Sequence, residues 1–135
     1  MIDARTKLSD SEKITINLGL IDLGQIDLLV AEGFYANRTD LIRTAIRNQL
    51  ATHAEVVRQS VARRTLVLGL QEFSRQDLEA VRKSRARLRI HVLGLVRIAD
   101  DVSAALARDT IESIDVLGAL HASAAVKAAL ADRIH

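Results

Sequence analysis

From Lys13 to Leu18 the chain alternates polar and apolar residues without a break, with Lys13, Thr15 and Asn17 on one side and Ile14, Ile16 and Leu18 on the other. A period of two is the pattern of a strand with one face covered and one free. The period then lengthens. Leu23, Ile26 and Val30, widened by Leu29, predict a short helix that begins after Gly19 and Asp22 and stops at Gly33. Phe34 and Tyr35 follow as plugs between helices. Asn37 is a good N-cap for a second helix, with Asp40 placed to return a bond to the cap backbone. Leu41, Ile42, Ala45, Ile46 and Leu50 form that helix's apolar stripe, and the helix has the pattern to run on through His53 and Val57 toward Arg58. Nothing near the strand offers it a local partner, and a lone strand with an apolar face does not stand in water. The simplest partner is the same strand of a second chain, antiparallel across a two-fold axis, with Ile14, Ile16 and Leu18 as the dimer core.

Beyond Arg64 the pattern changes again. Leu66-Val67-Leu68-Gly69-Leu70, Val92-Leu93-Gly94-Leu95 and Val116-Leu117-Gly118-Ala119-Leu120 resemble one another, and their glycines lie 25 and then 24 residues apart. Each run is followed by a serine suited to cap a helix, Ser74, Ser103 and Ser123. Apolar helix positions come next: Leu78 and Val81, then Leu106, then Val126 and Leu130. The unit is strand, turn, helix, written about three times. Short apolar runs joined through helices predict parallel strands with right-handed crossovers. Gly69, Gly94 and Gly118 fall inside the strand patterns, where close backbone packing explains them. Stacked units of this length need neighbours to bury their faces, so this half is expected to associate with another copy. A compact layer of helices on a sheet is the alternative. The chain thus divides into residues 1–64 and 65–135.

Composition narrows the function classes. The hydrophobic share is 49% but the aromatic share only 2%, so any core is aliphatic. The absence of Pro leaves helices unbroken, and the absence of Cys excludes disulfides, thiolate nucleophiles and Cys-type zinc sites. No apolar run approaches the ~20 residues that span a bilayer, and the N-terminus has no signal-peptide core, so a cytoplasmic protein with no membrane contact is expected. The net charge is +2 with a sequence pI of about 9.4. Residues 1–64 carry 9 Lys and Arg against 8 Asp and Glu, and residues 65–135 carry 10 against 9. Charge alone does not announce a nucleic-acid binder; placement must.

Residues 13–50 resemble the ribbon-helix-helix DNA-binding domains of the CopG, Arc and MetJ type. The resemblance rests on the Lys-Ile-Thr-Ile-Asn-Leu strand, the Gly33 turn and the Asn-Arg-Thr-Asp-Leu-Ile-Arg start of the second helix. It implies that two strands form an intermolecular antiparallel ribbon that enters the major groove of double-stranded DNA, with Lys13, Thr15 and Asn17 reading bases. It also implies that the second helix's N-terminus, Asn37, Arg38 and Thr39, grips phosphate. This chain departs from many relatives in having Gly19 where they have Pro, and Asn17 where they have Arg, which changes the base that is read. Independent physics agrees: a two-stranded ribbon fits the major groove, Lys donates to guanine, Asn pairs with adenine, and a helix N-terminus suits phosphate.

The fold expected is therefore α/β, an N-terminal ribbon-helix-helix of ribbon plus two helices followed by a small domain of about three β-α repeats. The function expected is a bacterial transcriptional repressor with no enzymatic activity, a homodimer whose residues 65–135 serve either oligomerisation, to a tetramer or higher, or effector sensing. Two rivals are an antitoxin and a structural assembly protein built on the C-terminal repeats. Nickel regulators have a similar domain order, and His91 and His121 sit near equivalent positions in two repeats. Without Cys, and with no carboxylate at a familiar ligand spacing, these histidines read as surface or strand-end residues, and no metal or other cofactor is expected. Asp100-Asp101 reads as a helix-entry turn. The five cations between Arg82 and Arg89 read as a solvated helix end, with a phosphate patch or a surface for an acidic partner as the functional reading.

Overall fold

The structure, a computed structural model, describes residues 11–135, and these divide into two compact units, 11–59 and 60–135. In the first unit, residues 11–19 take no regular secondary structure and are exposed. The strand expected at Lys13–Leu18 is thus absent from the single chain. A strand is defined by its ladder, and one chain supplies no second strand to this segment. Helix α1 spans Leu20–Ala31 and α2 spans Arg38–Thr52. Leu23, Ile26 and Val30 are the half-covered residues of α1, as the periodicity predicts, and Leu41 and Ile42 are their counterparts on α2.

Three details differ from expectation. The Asp40 carboxylate accepts from the Ala36 N–H at 3.0 Å, one residue before the cap, while Asn37 Oδ1 accepts from the Asp40 N–H at 2.8 Å. The long second helix breaks at His53, whose N–H closes a tighter final turn onto Leu50, and α3 begins again at Ala54 and ends at Arg63. Phe34 is 71% exposed and only Tyr35 is half-buried, because this unit of one chain has no second layer to receive a plug.

In the second unit, β1 (Val67–Phe73), β2 (Leu88–Ile98) and β3 (Ile111–His121) form a parallel sheet in the order β1-β2-β3. Helix α4 (Arg75–Lys83) joins β1 to β2, α5 (Ala104–Thr110) joins β2 to β3, and α6 (Ala124–Ala129) follows. Neighbouring helices pack side by side, as expected of crossovers that advance in one direction with one hand. Ser74, Ser103 and Ser123 each accept from the backbone N–H three residues on, at 3.1, 3.1 and 3.2 Å. At Ser74 the Asp77 carboxylate returns the bond to complete a capping box.

The core lies between sheet and helices. Ile90, Val92, Val96 and Ile98 of β2 meet Leu78 of α4, Leu106 and Ala107 of α5, and Val126 of α6, with Ile111, Ile114 and Leu130 closing one side. The register brings Gly69, Gly94 and Gly118 into one row across the sheet. A Cβ on Gly94 would lie 2.2 Å from the Gly69 carbonyl oxygen, and one on Gly118 would lie 2.0 Å from that of Gly94. At Gly94 and Gly118 the neighbouring backbone occupies the space a side chain would need; Gly69 has open space but a φ of +125°.

Candidate nucleic-acid interface

Lys13, Thr15 and Asn17 occupy alternate positions of the extended, exposed segment that leads into α1. Their apolar neighbours Ile14, Ile16 and Leu18 are 75%, 59% and 39% exposed. In one chain these three residues are therefore a free apolar edge rather than a core.

Asn37, Arg38 and Thr39 come together at the start of α2. Asn37 Oδ1 is used as the cap. The backbone N–H groups of the first turn have no intrahelical acceptor, as at any helix start, and face outward with the positive end of the helix dipole. Thr39 is exposed beside them. Arg38 has a second role that the sequence reading missed. Its Nε and Nη2 donate to the two carboxylate oxygens of Asp27 on α1 at 2.7 and 2.8 Å, a bidentate pair that ties α1 to α2. The hydrogen bonds from Arg38 hold the Asp27 carboxyl below the usual carboxylate range, and the same pairing raises Arg38. No periodicity could reveal a contact across a turn between two polar surface positions.

The other candidates separate. His91 lies beside Asp115, with Nδ1 3.7 Å from Oδ2. His121 sits opposite Arg97, toward the other end of the strands. Six residues along a strand correspond to ~20 Å, so the two histidines do not converge, contrary to the equivalence read from the sequence. Among the described residues no cluster of three or more His, Asp or Glu side chains could hold a metal ion. The basic run is partly neutralised: Arg82 lies 3.7 Å from Asp109, and Arg89 donates to Glu112 at 2.6 Å. The Arg89 hydrogen bond, followed by its charge, lowers the Glu112 carboxyl. Lys83, Arg85 and Arg87 are exposed.

The described residues thus present an exposed alternating segment followed by two helices, the second capped by Asn37. The sequence profile of the ribbon-helix-helix transcriptional regulator family matches residues 9–127. The chain belongs to this family. No curated protein and no solved structure matches it. As a ribbon-helix-helix regulator the protein is a DNA-binding transcriptional regulator, and the match extends through all three strands into α6, so the sheet region lies within the family's extent. No helix among the described residues is long and apolar enough to cross a membrane.

Proposed function

We propose that this ribbon-helix-helix regulator is a homodimeric, sequence-specific transcriptional repressor whose paired Lys13–Leu18 segments form an antiparallel ribbon in the major groove. Lys13, Thr15 and Asn17 read base edges from the ribbon's outer face, and Ile14, Ile16 and Leu18 bury its inner face against the helices of both copies. The N-terminus of α2 sits on the phosphate backbone through its free N–H groups and through Asn37, Arg38 and Thr39, fixing register while the ribbon fixes sequence.

One observation carries this reading. Among residues 11–65, which include α1, α2 and α3, none is buried, although the segment supplies Ile14, Ile16, Leu18, Leu20, Ile21, Phe34, Ile46 and Leu50. A segment with this many apolar side chains and no core is incomplete as one chain. A second copy completes it and pairs the strand at the same time.

The test is selection of bound fragments from random-sequence duplex DNA by the purified full chain at near-physiological salt. Enrichment of a short inverted or tandem repeat is expected, with the half-site spacing set by the dimer. Weak binding that is sensitive to salt and blind to sequence would overturn the proposal, because it would leave only the phosphate contacts.

A further inference from the structure

The sheet has two unlike faces. One packs on α4, α5 and α6. On the other, the register sets Leu68, Leu93 and Leu117 side by side in one row, and Leu70, Leu95 and Ala119 in another. In the single chain Leu68 is 70% exposed, Leu70 46% and Leu117 42%, while on the central strand Leu93 is half-buried and Leu95 is buried. A sheet with one covered face alternates apolar inward with polar outward, whereas a near-continuous apolar run belongs to strands covered on both faces. These strands are of the second kind, yet among the described residues helices cover only one face.

Two ion pairs flank the leucine rows, one at either end. Arg97 donates to Glu72 at 2.5 Å, and Arg64 donates to both carboxylate oxygens of Asp115 at 3.1 Å. The face therefore has an apolar centre and a rim in which these opposite charges pair, while His91 Nδ1 and Arg97 Nη2 at the two ends are buried without a hydrogen-bond partner among the described residues.

We propose that this leucine face packs on the same face of a second copy of the chain, so that two sheets lie inside and two helix layers outside. The size of the face identifies the occupant. Three strands at ~4.8 Å spacing and seven residues at ~3.3 Å each give a face of about 14 Å by 23 Å, or roughly 300 Å² per copy. Independent protein partners in stable complexes bury ~800 Å² each. A patch this small stays covered only when its partner is held at an effective concentration in the ~mM range, as linkage through a second contact provides. The ribbon dimer proposed above supplies that linkage, and the inference rests on it to this extent.

The chain has no cysteine, so an introduced thiol reports on the face directly. In the full-length protein, confirmed as folded by circular dichroism, the reaction of Leu68→Cys with an aromatic disulfide is compared with that of Gln76→Cys on the exposed side of α4; Leu70→Cys is a second reporter. The expected result is a Leu68→Cys thiol at least roughly tenfold slower than the control, with the fast rate restored by Leu117→Glu, which places a charge in the paired face. Equal rates in a protein that sediments as a dimer would overturn the sheet pairing and leave the ribbon standing. Protection in a chain that sediments as a monomer would overturn it as well, since the cover would then come from the same chain. Protection in an associated chain that selects no DNA sequence would sustain the sheet pairing and remove the ribbon reading alone.

Discussion

At the scale of single residues, Arg38 carries two demands. Its guanidinium is already committed to Asp27 through Nε and Nη2, and the phosphate contact proposed for it would be made by its remaining N–H groups. The two roles respond differently to substitution. Arg38→Ala is expected to flatten the log–log salt dependence of operator binding by ~0.9 for each phosphate it no longer neutralises, whereas Asp27→Asn leaves that slope in place. A titration series across salt concentrations checks this, and an unchanged slope in Arg38→Ala removes Arg38 from the phosphate-binding set. The pair also fixes a pH dependence. Because Arg38 lowers the folded-state value of Asp27, the folded chain binds that proton less tightly than the unfolded chain. The pairing's contribution to stability is therefore complete above the unfolded value near ~3.9 and is lost as the pH falls through the lowered folded value. Asp77 under the Ser74 cap, Glu112 beside Arg89 and Asp132 beside Arg108 are lowered too. Stability should thus fall with acid through several carboxylates, and urea midpoints across the acid range should show a shallower fall in Asp27→Asn. An acid limb identical to wild type would mean that the pair does not form in solution. On the ribbon, Asn17→Ala should weaken specific binding by ~1–3 kcal/mol and relax one base position; repeating the selection with the variant reads both, and an unaltered preference removes Asn17 from base recognition.

At the scale of elements, the sheet was far more legible than the ribbon, and the reason is where the information lies. The serine caps and short apolar runs of residues 66–130 are local signals, and each cap forms the bond its serine anticipates. The Lys13–Leu18 segment shows the clearest alternation in the chain and yet is no strand here, because the described residues give it no ladder partner. The misplaced histidines had a signal within reach. His91 stands three residues before Gly94 and His121 three residues after Gly118, so once the glycines fix the register the two must fall at opposite ends. Asp27–Arg38 had none, since it depends on how two helices dock. The glycine row also makes a graded prediction. At Gly94 an alanine meets both a φ of +140° and the carbonyl oxygen of Gly69, whereas at Gly69 it meets a φ of +125° and nothing within 4 Å. Gly69→Ala should cost about 1–3 kcal/mol from backbone strain, and Gly94→Ala should cost more because the strands must also separate. Denaturant unfolding of the two variants orders them. Equal losses would mean that conformation alone, and not strand contact, holds the row to glycine.

At the scale of the whole molecule, the two units differ in what one chain provides. Residues 60–135 contain a continuous core, whereas residues 11–59 contribute no buried residue. In the proposed dimer, folding of the first unit is coupled to association, and its stability should rise with protein concentration as mass action requires. Ile16→Asp tests that coupling at its centre. In an isolated chain the position is 59% exposed, so an aspartate there would be harmless. In a paired ribbon the same aspartate and its two-fold copy are buried without partners, which disfavours the dimer strongly. The variant should sediment as a monomer, lose amide-exchange protection in α1 and α2, keep it in β2 and β3, and lose specific DNA binding by more than roughly 100-fold, the effect of a few kcal/mol. Hydrogen exchange read segment by segment distinguishes this from general unfolding. A monomeric Ile16→Asp chain that keeps α1 and α2 protected and still binds its operator would refute the ribbon, because it would show that one copy is enough both to fold the unit and to read DNA.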